Sequence, residues 1–151
     1  MAKLQLPHDF KEFLRLLSLH RVDYLLIGGY AVNIHGYVRM TNGIDVWVRP
    51  VPENAERVLA ALSEFGFAAT SISPELFVKP NSVVRFGVPP LRVEVLTTPS
   101  GVDFDTCHAE CLAVENEGVR VFVISLKRLR ENKAAAGRSK DLADLENLPQ
   151  R

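Results

Sequence analysis

The feature that most restricts the fold is a pair of glycines placed where an apolar run gives way to a helix. Tyr24 to Ile27 is a short run of strand character that ends at Gly28-Gly29, and Tyr30 to His35 is helix-compatible up to a stop at Gly36. A strand that enters a tight turn and leaves as a helix is an opening unit of an α/β chain. Glycines at such a turn let backbone N–H groups approach an anion, and the start of a helix adds a favourable dipole. Taken alone, the pair marks a turn and no particular chemistry. The next segment, Arg39-Met40-Thr41-Asn42-Gly43-Ile44-Asp45-Val46-Trp47-Val48, passes through an Asn-Gly turn into a second strand, Ile44 to Val48, with an acid near its start.

Around this unit the apolar spacing predicts the remaining elements. Phe10, Phe13, Leu14, Leu16 and Leu17 recur at helical intervals over Asp9 to His20, with Asp9 as N-cap or first-turn acid. Glu53 to Phe65 starts after Pro52, turns Ala55, Val58, Leu59 and Leu62 to one side and ends at Gly66. Val83 to Val88 and Leu91 to Leu96 are strands separated by Pro89-Pro90, an antiparallel hairpin or a bent pair. Cys111 to Val123 reads as a hairpin turning near Asn116-Glu117-Gly118, followed by helices over Leu126 to Ala136 and Lys140 to Leu148 broken at Gly137. Strands alternating with helices early and hairpins later predict an α/β fold, a mixed β-sheet with flanking helices, over one domain spanning 1–151.

Composition excludes several classes of function. The 151 residues carry 18 basic and 18 acidic side chains, a formal net charge of zero, so attraction of the whole molecule to nucleic acid or an anionic membrane has no basis, which leaves room only for a local basic patch. No apolar run approaches the roughly 20 residues that cross a bilayer. Met1 to Phe10 lacks a leader pattern, and the expected location is the cytoplasm. Cys107, His108 and Cys111 lie on one short segment without a second ligand pair, so buried free thiols are expected there rather than a metal site. Gly-x-Ser-x-Gly, His-Glu-x-x-His, Walker-type and Cys-x-x-Cys patterns are all absent from the sequence.

Read together, Gly28-Gly29, Asp45 and Glu94 within Leu91-Arg92-Val93-Glu94-Val95-Leu96 resemble the nucleotidyltransferase superfamily that includes DNA polymerase beta. The likeness is to its small bacterial branch of minimal nucleotidyltransferases and abortive-infection-type toxins. It extends through Gly101-Val102-Asp103-Phe104 and the stretch from Asn132-Lys133 to Gly137-Arg138-Ser139-Lys140-Asp141. That family places an Asp-x-Asp on the strand after the glycine turn and a third carboxylate on a later strand. The resemblance therefore implies a polymerase-beta-like fold and transfer of a nucleoside monophosphate from a nucleoside triphosphate to a protein or RNA hydroxyl. It implies Mg²⁺ or Mn²⁺ on Asp45 and Glu94 as metal-binding and catalytic acids, and phosphates held by the Gly28-Gly29 amides. It also implies a toxin role with an antitoxin partner. One position departs: the first aspartate of the Asp-x-Asp falls on Gly43. Positions 43 and 45 share one side of a strand, so the loss removes a ligand from the face on which two ions orient the triphosphate. Mg²⁺ commonly uses only one or two protein carboxylates, which leaves Asp45 and Glu94 able to hold one ion.

Lys127, Arg128, Arg130, Lys133, Arg138 and Lys140 fall within fourteen residues that contain a single acid, Glu131. Most read as a solvated helix face. Lys133, Arg138 and Lys140 lie in the stretch matched to the family, where they bind phosphate; in the alternative, Asp141 and Asp144 pair with Arg138 and Lys140 and join the last two helices. Arg39 and Thr41 flank the acidic strand, where a triphosphate would lie. His35 and Trp47 read as interior side chains, and Asp103 and Asp105 as caps of the following turn. Three accounts are open at this point. The chain is an enzyme with a reduced carboxylate set, a relative that binds a nucleotide or a partner protein without turnover, or an active toxin in which a single-base change created Gly43. An aspartate restored at 43 is expected to recover metal binding without disturbing the fold.

Overall fold

The structure is a computed structural model that describes residues 6–67 and 72–150. The first five residues, on which half of the leader expectation rests, lie outside that range. Six strands form a mixed sheet in the order β3-β4-β2-β1-β6-β5. They are β1 (Tyr24–Ile27), β2 (Gly43–Val48), β3 (Val83–Phe86), β4 (Arg92–Leu96), β5 (Leu112–Asn116) and β6 (Val119–Val123). The helices are α1 (His8–Leu19), α2 (Gly28–Ile34), α3 (Pro52–Phe65), α4 (Phe104–Ala109), α5 (Leu126–Ala136) and α6 (Ser139–Asn147), with a 3₁₀ turn at Pro74–Phe77.

The sheet is antiparallel within the β1–β2, β3–β4 and β5–β6 pairs and parallel where β2 meets β4 and β1 meets β6. All four residues of β1 are buried, as befits a central strand covered on both faces. One face is closed by α1 and α3: Phe86 of β3 meets Phe13 of α1 and Phe65 of α3, the ring pairs lying 5.9 and 6.4 Å apart. On the other face Trp47 of β2 packs edge-on against Phe104 of α4 at 5.1 Å and donates its indole N–H to the Thr97 carbonyl at 2.9 Å. Trp47 is thus a core residue whose polar atom is satisfied.

The helix ends follow the expected punctuation at Gly66 and Gly137, and Asp9 lies in the first turn of α1, which Pro7 precedes. Asp103 caps α4 by accepting from the Thr106 N–H and hydroxyl at 3.0 Å each, whereas Asp105 pairs with Arg49. α2 differs from expectation. The two glycines form its first turn rather than a loop before it, because β1 passes into the helix with no intervening residue. Cys107 is buried and Cys111 half-buried, both as free thiols. No helix among the described residues is long and apolar enough to cross a membrane.

Candidate functional site

The candidate site is written in the strand register. Parallel pairing of β2 with β4 sets Gly43 opposite Arg92, Asp45 opposite Glu94 and Trp47 opposite Leu96. Antiparallel pairing of β4 with β3 sets Glu94 opposite Arg85 and Leu96 opposite Val83. Because side chains alternate, these residues share one face of the sheet in three rows. Val83–Leu96–Trp47 is apolar, Arg85–Glu94–Asp45 is charged, and Arg92–Gly43 closes the edge.

At the end of β1 the chain turns within reach of Asp45. Gly28 has φ +70°, and a Cβ there would lie 2.0 Å from Asp45 Oδ2. Glycine is therefore needed both for the left-handed backbone and for the space. A Cβ on Gly29 would lie 2.5 Å from Thr41 Oγ1, so the start of α2 abuts Thr41 as well. Thr41 donates its hydroxyl to the Gly43 carbonyl at 2.9 Å, which ties this loop to the start of β2.

Gly43 has no positive φ; what it lacks is room. A Cβ at this position would sit 2.0 Å from the Arg92 carbonyl oxygen and 3.1 Å from Arg92 Cβ. The obstacle is backbone of the neighbouring strand, which no rotamer change relieves. The expectation that an aspartate is accepted here without disturbance is thus corrected: β2 and β4 are paired around a glycine. The account in which the glycine merely replaces an aspartate in an otherwise unchanged site loses its support.

The two remaining acids stand in unequal environments. Burial first, and then the negative charge of Glu94 and a hydrogen bond shared with it, push the Asp45 carboxyl up to about 6, against the pull of Lys140 and Lys133. Glu94 accepts from Arg85 Nε at 2.7 Å, and Arg92 Nε stands 3.5 Å away. Neither arginine stood out in the sequence as a site residue. The signal was present in Arg92-Val93-Glu94, since alternate residues share a face, but Arg85 needed the hairpin register.

A divalent-ion pair does not fit this donor set. Among the described residues no group of three or more His, Cys, Asp or Glu side chains could hold a metal ion. One of the two carboxylates at hand is already engaged by a guanidinium.

The wall opposite the sheet comes from α5 and α6. Lys133 is buried, with its ammonium 3.1 Å from Asp141 Oδ1 and 2.9 Å from Asp144 Oδ2. Asp144 also receives a two-pronged pair from Arg39, Nε at 2.7 Å and Nη2 at 2.8 Å. Arg138 bonds Asp141 at 2.7 Å. Burial alone would raise the Asp141 and Asp144 carboxyls. Hydrogen bonds from Arg138 and Lys133 on the first, and from Arg39 and Lys133 on the second, outweigh it and hold both below the usual carboxylate range. Pairing with Asp141 and Asp144 is therefore the local role of Lys133, Arg138 and Arg39, although all three also line the cleft. Lys140 lines the cleft and makes no ion pair within 4 Å among the described residues.

These elements enclose a cleft of about 640 Å³. It gathers every site residue expected from the sequence: Gly28, Gly29, Arg39, Thr41, Asp45, Glu94, Lys133, Arg138 and Lys140. Lys127, Arg128 and Arg130 face elsewhere; Arg128 pairs with Glu110 and Glu131, and Arg130 bonds the carbonyls of Leu145 and Pro149. His35 lies outside the cleft, hydrogen-bonded through Nε2 to the Ile124 carbonyl at 2.7 Å.

No protein-family model and no curated protein matches the chain. Its structure is similar to the crystal structure of a Thermotoga maritima protein described as a "putative nucleotidyltransferase". The TM-score is 0.61 and the sequence identity 17%, over 91% of this chain and 88% of that one. At that identity the likeness is one of fold. With its diglycine turn against an acid on β2 and a second acid beside it on β4, the chain has the α/β nucleotidyltransferase fold.

Proposed function

We propose that the cleft binds a nucleoside triphosphate and that the chain transfers little or none of it. The observation that carries this reading is the charged row of the sheet. Glu94 is held by Arg85 where a metal ligand would need to be open, and Gly43 supplies no acid beside Asp45. Transfer in this fold family depends on divalent ions that stabilise the attacking and leaving oxygens, and this donor set does not meet that need.

Size and charge support a triphosphate as the ligand. The volume falls within the roughly 300–1,000 Å³ usual for small-molecule sites. Six cations line the cleft: Arg39, Arg85, Arg92, Lys133, Arg138 and Lys140. Asp45 and Glu94 line it with them, and Asp141 and Asp144 stand behind, so two positive charges remain unbalanced even with all four acids ionised. Val83, Leu96 and Met40 supply an apolar margin for a base.

The finer reading is transfer of a nucleoside monophosphate to a protein or RNA hydroxyl, with the chain as the toxin of a pair. It draws on the family resemblance and on Asp45 standing next to Glu94. The geometry favours the binding reading over it, with a partner protein in the cleft as the other occupant. Calorimetric titration with ATP, ADP, AMP and adenosine tests the proposal. Affinity should fall with each phosphate removed and weaken in Lys140→Gln. A cleft that binds none of the four contradicts it.

A further inference from the structure

We infer that the cleft holds a polyphosphate directly on Arg85, Arg92 and Lys140, with no divalent cation between protein and phosphate. This rests on the reading that the cleft takes a nucleoside triphosphate, and names how that ligand is held.

The three groups stand where the sheet face meets the opposite wall. Arg85 lies across from Glu94 on β3, and Arg92 lies two residues before Glu94 on β4, so both guanidiniums flank that carboxylate on one face. Arg92 is also the residue opposite Gly43, so a guanidinium stands next to the position that carries no acid. Both side chains remain open to solvent, Arg85 at 61% and Arg92 at 37% exposure. A guanidinium has five N–H donors; Arg85 bonds Glu94 through Nε alone and Arg92 only approaches it at 3.5 Å, which leaves the outer fork of each to grip phosphate oxygens. Lys140 adds an ammonium that no carboxylate within 4 Å occupies among the described residues. Arginine is the side chain suited to bidentate phosphate contact, and its charge is present at every working pH.

A cation-bridged site and an arginine-held site respond with opposite sign to one change. Where a divalent ion bridges, Glu94 is a ligand and its loss weakens triphosphate binding. Where the arginines hold the phosphates, Glu94 competes with the ligand for their donors, and its neutralisation strengthens binding. Glu94→Gln keeps shape and hydrogen bonding, so it tests the point without emptying the site.

The experiment is calorimetric titration of the whole chain with ATP and with inorganic tripolyphosphate, each in EDTA and in excess Mg²⁺. Thermal melts would confirm that each variant is folded. Both ligands should bind in EDTA, ATP at least as tightly as with Mg²⁺, because Mg²⁺ neutralises the phosphates that the arginines attract. Arg85→Gln and Arg92→Gln should each weaken binding about tenfold, the loss of one charge-assisted contact. Glu94→Gln should tighten binding in EDTA. Binding that appears only with Mg²⁺, or that Glu94→Gln abolishes, overturns this inference and leaves the nucleotide reading standing. Tripolyphosphate binding without ATP binding supports the inference and removes the nucleotide. Binding of neither ligand overturns both.

Discussion

At Gly43 the space between β2 and β4 decides what the position tolerates. A Cβ 2.0 Å from the Arg92 carbonyl forces the strands apart, and overpacking of this kind costs about 1–3 kcal/mol. Gly43→Ala should lower the midpoint of urea unfolding, with a loss of that size in the unfolding free energy, and Gly43→Asp should lower it at least as much. Unchanged midpoints would show that the strand pair adjusts freely. Asp45 makes a pH-dependent prediction. Its carboxyl titrates at about 6 in the folded chain and near 3.9 unfolded, so between those values the folded state holds more protons. Stability from this group therefore falls as pH rises through that window, and the full cost is present above it. Asp45→Asn should raise Tm at pH 7.5 by on the order of 6 °C or more, since titration at about 6 rather than near 3.9 is worth about 3 kcal/mol and each kcal/mol moves Tm by about 2–4 °C in a chain of this size, and change it little at pH 4. A variant less stable than the parent at pH 7.5 would show that the Asp45 carboxylate is stabilised by Lys140 and Lys133 more than it is penalised by burial.

At the scale of elements, α5 and α6 are joined by a buried ammonium between two buried carboxylates. Removing one member of such a cluster leaves uncompensated charge, which costs about 3–5 kcal/mol. Lys133→Ala should therefore come close to unfolding the chain. Arg138→Ala should change stability by less than about 1 kcal/mol, since its side chain is 65% exposed and solvent screens the pair. Chemical denaturation of the two variants measures the contrast, and equal losses would contradict it. Most elements were legible because their signals are local. The apolar spacing of α1 and α3, the glycines at 66 and 137, and the Glu117-Gly118 turn, with φ of 49° and 84°, each act within a few residues. The limits of β1 and α5 coincide with the sequence reading for that reason. Pairings between distant segments were not legible. Arg39 with Asp144, Lys133 with both aspartates, and Arg85 with Glu94 depend on register and helix placement, which no short window of sequence specifies.

For the whole molecule, a formal net charge of zero hides a segregation of charge. Composition argued against a general attraction to anions, yet six cations line one cleft. Attraction confined to a cleft is strong locally and screened by salt. ATP affinity should thus fall steadily between low and physiological ionic strength, and salt-independent binding would contradict a phosphate-dominated site. The nucleotidyltransferase fold was legible from Gly28-Gly29, Asp45 and Glu94. The state of the site was not, because the closure of β2 on β4 and the capture of Glu94 by an arginine are tertiary facts. The most direct test of the account follows the α-phosphate label of ATP in the presence of Mg²⁺ or Mn²⁺, with protein and RNA acceptors, using chain that binds ATP. The account predicts bound label with no transfer above the level of Asp45→Ala. Repeated turnover that Asp45→Ala abolishes would contradict it.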